Sequence, residues 1–330
     1  EERASEYSTG DYIVKCGSHI KRIPSSSMFE TSTGIDYSTY QYVSKTTGLN
    51  VESNVTGAVL YVTSDEIPVV YLSTGNGEAS MSAYSMVEQN IGTNNFDIKE
   101  LNLNQADIPD DAVVILFNNP TSDLSTTALN KLKVWFRTKG GNCICLMDPS
   151  TAGTELPNFN DLFALFNMRI NNDVVSESAD FCVTNKPQWF VAETLSPDNS
   201  PLAGLNASTA YIFDSRSIEL LGRTSEYSEA YALVNTSAKA ISTSIKGGAK
   251  ATGMRTVIAA GQYQGGEAVS KLLLTGSGSN LQDEYIMRYA SSTAPGILIR
   301  SLNWMYTNTN EGDLIGAKKY NTDTIAVTQK

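Results

Sequence analysis

The most constraining feature of this sequence is a segment, residues 68–150, in which short apolar runs alternate with helical segments. Parallel strands covered by helices on both faces show this alternation, because each strand is buried on both sides. The segment therefore predicts an α/β domain with a mostly parallel sheet. The predicted strands are residues 68–73, 96–101, 112–117 and 142–147.

Polar and glycine-rich turns follow these strands at their carboxyl ends. In open α/β sheets, ligands bind in the crevice outside the carboxyl ends of the strands. We therefore expect any ligand site to lie there, where the turns after the first, third and fourth strands meet. The residues predicted to surround this crevice are Thr74, Gly75, Asn76, Gly77, Glu78, Asn118, Asn119, Asp148 and Ser277.

Charge and apolar content exclude two classes of function. The 330-residue chain carries a formal net charge of −11, whereas a nucleic-acid binder normally shows a basic patch. The longest uninterrupted apolar run is residues 112–117, and a membrane-spanning helix needs about 20 apolar residues. We therefore expect no nucleic-acid partner. We also expect the chain to be soluble, and a fragment excised from a membrane protein would meet the same expectation.

The cysteine and histidine content predicts no metal site, and no motif indicates another cofactor. Four cysteines in 330 residues are too few for a disulfide scaffold. Cys143 and Cys145 lie two residues apart on a predicted buried strand, so we expect both to be small core residues on one face. His19 is the single histidine, and one histidine cannot build a His-rich zinc site.

The sequence as a whole predicts three parts. Residues 1–57 alternate in strand fashion at 12–15, 40–43 and 49–51, and predict a small N-terminal β element that packs on the main domain. Residues 58–313 predict the α/β domain, with a strand at 58–63 and an irregular excursion at 176–207. Residues 314–330 predict a polar C-terminal tail. Further predicted strands are 171–175, 210–213, 218–221, 256–260 and 271–275. The predicted helices are 126–139 and 296–308.

The motifs of common enzyme classes are not matched. The turn with Gly75 and Gly77 is not a Walker loop, since no lysine follows, and it carries only G-x-G of the dinucleotide fingerprint. It is either a structural tight turn or a turn that presents N–H groups to an anion or a hydroxyl. A nucleophile elbow is absent, which disfavours a Ser-His-Asp or Cys-His hydrolase.

Carboxylates at the strand ends leave a catalytic alternative open. Such side chains, if they converge, form an acid–base or metal site. Each one alone is more often a turn or cap residue. The candidates are Asp65, Glu66, Glu78, Asp123, Asp148 and Asp283.

Several segments, in order, resemble the extracytoplasmic region of the gliding-motility (GldG-like) ABC-transporter auxiliary family. They include PVVYLSTGNGE, the run from DIPDDAVVILFNNP to CLMDPS, ELPNFNDLFALFNMRINNDVV and KLLLTGSGSNL, and they cover about residues 58–313. The resemblance implies a flavodoxin-like or class I amidotransferase-like three-layer sandwich. It departs from the family at Asn76, where relatives often have histidine, and it lacks the amidotransferase nucleophile.

The resemblance implies a function and a location. We expect a non-catalytic domain of an ABC-2-type transport auxiliary subunit at the extracytoplasmic face of the bacterial cell membrane, with flanking transmembrane helices in the parent protein. Its partners would be the ABC permease and ATPase subunits, with a glycan or another exported substrate as ligand. One alternative is a carbohydrate-active or amide hydrolase that uses Glu78 and Asp148, which requires them within about 5–10 Å for glycosidic chemistry. Another alternative is a structural module that only assembles.

Overall fold

The structure, a computed structural model, describes residues 8–36, 41–64, 67–149, 154–206, 208–222, 227–248, 250–289, 293–306 and 318–319. The chain divides into two compact units, each described here by itself. The first comprises Glu1–Ile67, Thr93–Asn95 and Thr309–Lys330, and the second comprises Pro68–Gly92 and Phe96–Asn308.

The first unit combines short antiparallel strands with one helix. Its elements are β1 (Tyr12–Cys16), β2 (His19–Ile23), β3 (Phe29–Asp36), β4 (Gln41–Leu49) and α1 (Val51–Thr63). Strand β1 pairs with β2, and β4 pairs with both β3 and residues 318–319. The predicted strands at 12–15 and 40–43 are confirmed where the structure describes them.

Helix α1 corrects the strand predicted at 58–63 and the one predicted at 49–51. Val51, Val55, Ala58 and Val62 recur at helical spacing, and Ala58 packs in a small core with Ile23 and Met28. A short apolar run cannot by itself distinguish a strand from a buried helix segment. The spacing over the whole of α1 shows why the helix forms.

The second unit begins with the predicted alternation of strands and helices. In chain order its first elements are β5 (Val69–Ser73), α2 (Ser85–Thr93), β6 (Asp97–Leu101), β7 (Ala112–Asn118), α3 (Thr126–Lys139), β8 (Asn142–Leu146) and α4 (Pro157–Ala164). The four strands predicted in this segment are confirmed. The Ser125 side chain caps α3 by accepting a hydrogen bond from the Ala128 N–H, and Gly140 ends it in the left-handed conformation.

The rest of the second unit is mainly strand. The elements are β9 (Met168–Ile170), β10 (Asp173–Ser176), β11 (Cys182–Val183), β12 (Lys186–Thr194), β13 (Thr209–Phe213), β14 (Ile218–Leu220), β15 (Ser228–Asn235), β16 (Ile241–Ser244), β17 (Lys250–Thr252), β18 (Thr256–Tyr263), β19 (Ser270–Thr275), α5 (Asp283–Arg288) and α6 (Ala294–Met305). The irregular excursion predicted at 176–207 is wrong over its first part, where β11 and β12 lie, whereas residues 195–206 contain no helix or strand.

One sheet of 12 strands organises this unit within the described residues. Its parallel half has the order β6-β5-β7-β8-β19, and every neighbouring pair in it is parallel. From β19 the sheet continues through β18, β15, β12 and β11 by antiparallel pairs. The fold is therefore mixed α/β as predicted, but the sheet is not mostly parallel.

Helices cover both faces of the parallel half. From β5, Val70 and Leu72 belong to the core that includes α2 and α6. The alternate residues Val69 and Tyr71 belong to the core that includes α3 and α4. Because both faces are covered, every residue of β5 and β8 is buried, which explains the continuous apolar runs in the sequence.

Cys143 and Cys145 are core residues, as predicted. Both are fully buried in the core beside α3 and α4, and both are free thiols. Burial raises the pKa of each thiol. Neither side chain is therefore suited to reactivity.

The described helices give no membrane span. None of them combines the length and the apolar character that a bilayer crossing requires.

We expect Gly276→Ala to destabilise the second unit by about 2–3 kcal/mol through overpacking. A Cβ on Gly276 would lie 2.1 Å from the main-chain oxygen of Arg216, and the Gly276 carbonyl already accepts the Arg216 N–H at 2.8 Å. The matched control is Gly296→Ala in α6, where a Cβ meets nothing within 4 Å. The control should be neutral or stabilising by up to about 1 kcal/mol. Urea denaturation measures both, and equal effects would contradict the packing argument.

Candidate functional site

The turn after β5 is closed by its own carboxylate. Glu78 accepts hydrogen bonds from the Asn76 main-chain N–H (2.7 Å), the Asn76 side-chain amide (3.0 Å) and the Ser73 hydroxyl (2.8 Å). Gly75 and Gly77 have φ values of 103° and 72°, which only glycine adopts readily, so the turn requires both. The Asn76 N–H is thus already paired with an anionic group of the chain. This pairing disfavours binding of an external anion at the turn.

Asn118 and Asn119 follow one another at the end of β7 but make different contacts. The Asn118 side-chain amide donates to the Ala79 carbonyl (3.1 Å), and its oxygen Oδ1 is buried with no hydrogen-bond partner among the described residues. The Asn119 amide donates to the Tyr84 hydroxyl (2.8 Å), and its oxygen accepts the Asp148 main-chain N–H (3.0 Å). Asn119 therefore links β7 to the end of β8, whereas Asn118 retains an unused acceptor.

Asp148 holds the loop that follows β19. Its carboxylate accepts hydrogen bonds from the main-chain N–H groups of Gly278 (2.6 Å) and Ser279 (3.1 Å), and from the Ser279 hydroxyl (3.0 Å). Burial raises the pKa of Asp148, and the hydrogen bonds from Ser279 and Gly278 partly oppose that shift. These contacts make Asp148 a structural residue that joins two strand ends.

Ser277 lies in the same loop and is 1% exposed. Its hydroxyl donates to the Phe213 carbonyl and lies 3.2 Å from Oδ1 of Asn280. The same Asn280 oxygen accepts the Phe213 main-chain N–H (2.8 Å). Ser277 therefore connects the loop to β13 and offers almost no surface to a ligand.

An open cleft of about 470 Å³ lies at the carboxyl ends of β5, β6 and β7. This volume falls within the range of about 300–1,000 Å³ that is typical of small-molecule sites. The predicted site residues that line it are Thr74, Gly75, Gly77, Glu78 and Asn118. The predicted residues outside its lining, which make the structural contacts described above, are Asn76, Asn119, Asp148 and Ser277.

Two carboxylates in the cleft were not predicted from the sequence. Glu88 lies on α2, and Glu100 lies near the end of β6. Burial raises the pKa of Glu88, and the negative charges of Asp283 and Glu100 raise it further. With Glu78, they give the cleft lining three acidic residues and no lysine, arginine or histidine. The one sequence signal that could have identified either residue was the position of Glu100 at the carboxyl end of a predicted strand.

The remaining strand-end carboxylates do not converge in the cleft. Asp123 accepts hydrogen bonds from N–H groups in the first turn of α4, and Asp283 accepts them from N–H groups at the start of α2. Both therefore act as caps. Asp65 and Glu66 lie outside the described residues. Within the part of the chain that the structure describes, no group of three or more His, Cys, Asp or Glu side chains could hold a metal ion.

We expect Asp148→Ala to lower the free energy of unfolding by about 2–3 kcal/mol, because two buried N–H groups lose their acceptor. Asp148→Asn keeps one side-chain oxygen, so its loss should be about 1 kcal/mol. Chemical denaturation at neutral pH measures both variants. An alanine variant as stable as the wild type would contradict the structural role of Asp148.

The difference in unfolding free energy between the wild type and Asp148→Asn should change with pH in a defined direction. Because burial raises the pKa of Asp148 on folding, the folded state binds more protons than the unfolded state over its titration range. The contribution of Asp148 to stability is therefore full below its unfolded pKa of about 3.9 and falls as pH rises through the folded pKa. The wild type should lose stability relative to Asp148→Asn as pH rises through that range. Unfolding free energies measured at several pH values check this, and an opposite slope would contradict it.

Comparisons with known proteins bear on the fold. No family model matches the sequence, and no curated protein matches it. Among solved structures, the chain is similar to the mmIFT52 N-terminal domain, with a TM-score of 0.55, 14% identity, and 73% of this chain and 98% of that chain covered. At this identity the similarity concerns the fold alone.

Two glycosidases align more loosely. Exo-beta-1,4-mannosidase Op5Man5 from Opitutaceae bacterium strain TAV5 has a TM-score of 0.38 and 12% identity, with 72% of this chain and 35% of that chain covered. Alpha-L-fucosidase isoenzyme 2 from Paenibacillus thiaminolyticus has a TM-score of 0.40 and 11% identity, with 78% of this chain and 36% of that chain covered. The chain thus spans about a third of the length of each, and these alignments carry no functional argument.

Proposed function

We propose that this chain is a non-catalytic binding domain of an ABC-2-type transport auxiliary subunit, and that the cleft at the ends of β5, β6 and β7 is its binding site. The observation that carries the binding role is the cleft itself, since it is polar, open and of small-molecule size. The transport role is supported by the order of sequence segments that resemble the gliding-motility auxiliary family.

We infer that the parallel half of the sheet is a flavodoxin-like or class I amidotransferase-like scaffold. Numbered along the chain, its strands have the order 2-1-3-4-5, which is the flavodoxin-like doubly wound order. In such sheets the strand order reverses between the first and third strands, and ligands bind at that switch point. Here the switch point lies between β5 and β7, and Glu78 and Asn118 line the cleft beside it. The topology thus supports the same location as the cavity.

Binding is favoured over catalysis because of the roles of Glu78 and Asp148. The hydrolase alternative needs these two carboxylates to act on one substrate. Glu78 lines the cleft and Asp148 does not, among the residues described. Each carboxylate also accepts hydrogen bonds from the N–H groups of nearby loops, so each already stabilises the fold.

The proposed setting follows from the resemblance and from charge. The domain would lie at the extracytoplasmic face of the bacterial membrane, beside the ABC permease and ATPase subunits of its system. Flanking helices of the parent protein would hold it there. A partner protein, a glycan or another exported substrate would occupy the cleft. The net charge of −11 favours these ligands over nucleic acid.

The test is photo-crosslinking of the parent protein in its native cells. A photoreactive p-benzoylphenylalanine replaces Ser82, an exposed residue of the cleft lining, and the matched control places it at Val269. Val269 is 41% exposed and immediately precedes β19, so it lies at the amino end of the parallel strands, whereas the cleft lies at their carboxyl ends. Because the cleft is the proposed site, we expect the Ser82 position to crosslink to the permease or to the exported substrate more than the Val269 position does.

Mass spectrometry after purification identifies the crosslinked species. Recovery of the permease and ATPase with the parent would support the transport role. Absence of both, with intact parent in the membrane fraction, would overturn it. Equal crosslinking from both positions would overturn the assignment of the cleft as the binding site.

A further inference from the structure

The cleft holds negative charge that the protein does not neutralise. Its lining contains Glu78, Glu88 and Glu100, and none of the ion pairs among the described residues includes them. Lys99, the neighbour of Glu100 on β6, is bound by Asp111 at 2.6 Å. Like charges in one cleft repel one another, so a positively charged group in the cleft would relieve this repulsion.

A single metal ion does not fit this arrangement. Within the described residues, no group of three or more His, Cys, Asp or Glu side chains could hold one. A polyatomic ligand can instead meet the carboxylates at separate points. An organic cation with several hydrogen-bond donors is such a ligand.

Asn118 provides an independent indication of a ligand with donor groups. It is 3% exposed and lines the cleft, and its Oδ1 atom has no donor among the described residues. Its nitrogen is already used, because it donates to the Ala79 carbonyl and lies 3.4 Å from the Met81 sulfur. A buried acceptor without a partner costs about 1–3 kcal/mol. Because Oδ1 itself is covered in the structure, a ligand O–H or N–H group would remove that cost when the cleft lining shifts to admit it.

We propose that this cleft binds a small organic ammonium ligand, with its cationic group near Glu88 and Glu100 and a hydrogen-bond donor on Oδ1 of Asn118. This inference rests on the proposed binding role of the cleft and names the chemistry of its ligand. Amino sugars and polyamines both carry this chemistry. Hydroxyl groups on an amino sugar would also meet the hydroxyl-bearing side chains Thr74 and Ser82 of the lining.

The experiment is isothermal titration calorimetry of the 330-residue chain with glucosamine and with spermidine. Glucose and N-acetylglucosamine are the matched neutral probes, since they lack the ammonium group. Binding should weaken as salt concentration rises, because salt screens the ion pairs. Spectra of the side-chain amide of Asn118, recorded by NMR with and without ligand, should show a shift for the ligand that binds.

The variants Glu88→Gln and Glu100→Gln should each weaken binding by about threefold to tenfold, since each removes one ion pair. The control is Glu267→Gln, which makes the same charge change at an exposed position outside the cleft. It should leave the affinity unchanged. Circular dichroism confirms that each variant is folded.

The outcomes separate the possibilities. Binding of glucosamine alone, or of spermidine alone, supports the proposal and assigns the source of the ammonium group. Equal binding of glucose, no binding of either cation, or an equal loss in Glu267→Gln would overturn it. If the parent still captures the permease while neither cation binds, this inference fails and the transport role stands. Cation binding without permease capture would overturn the transport role alone.

Discussion

The structure depends on how backbone N–H groups are paired where the parallel strands end. Beyond the last residue of a strand, the sheet no longer supplies acceptors, and a buried N–H without one is costly. In this chain side chains from the turns provide them: Glu78 for Asn76, Asn119 for Asp148, and Asp148 for the loop after β19. The bonds of Asn119 and Asp148 join the ends of β7, β8 and β19, and the bond of Glu78 closes the turn after β5.

This pairing divides the polar residues of the edge into two groups. Asn119, Asp148 and Ser277 are saturated by contacts within the protein, so they shape the cleft without lining it. Glu88, Glu100 and the Oδ1 atom of Asn118 remain for a ligand. Burial raises the pKa of Glu88, and the negative charges of Asp283 and Glu100 raise it further. The first group thus stabilises the edge through hydrogen bonds, and the second group places negative charge without an ion-pair partner, among the described residues, in the cleft.

The sequence could predict the parallel half because two-sided burial leaves an unmistakable pattern. Strands β5, β7 and β8 are continuous apolar runs separated by helical segments. Strand β12 was missed because its pattern is mixed: Pro187 lies near its start, and exposed residues are interspersed with the buried Phe190 and Ala192. Proline is tolerated near the start of a strand, so it did not mark an irregular segment. The pattern of β12 is that of a strand in the antiparallel half of the sheet.

For a related reason, the sequence could predict which turns line the cleft but not which of their side chains face it. A rule about strand ends identifies which turns meet, and Thr74, Glu78 and Asn118 do line the cleft. It does not reveal whether a polar side chain lies near an unpaired N–H, which decides between a structural bond and a ligand contact. Asp148 meets two such N–H groups, whereas no side-chain hydrogen bond of Glu100 is found among the described residues. Substitutions at Asp148 therefore report on folding, whereas substitutions at Glu88, Glu100 and Asn118 report on the proposed recognition.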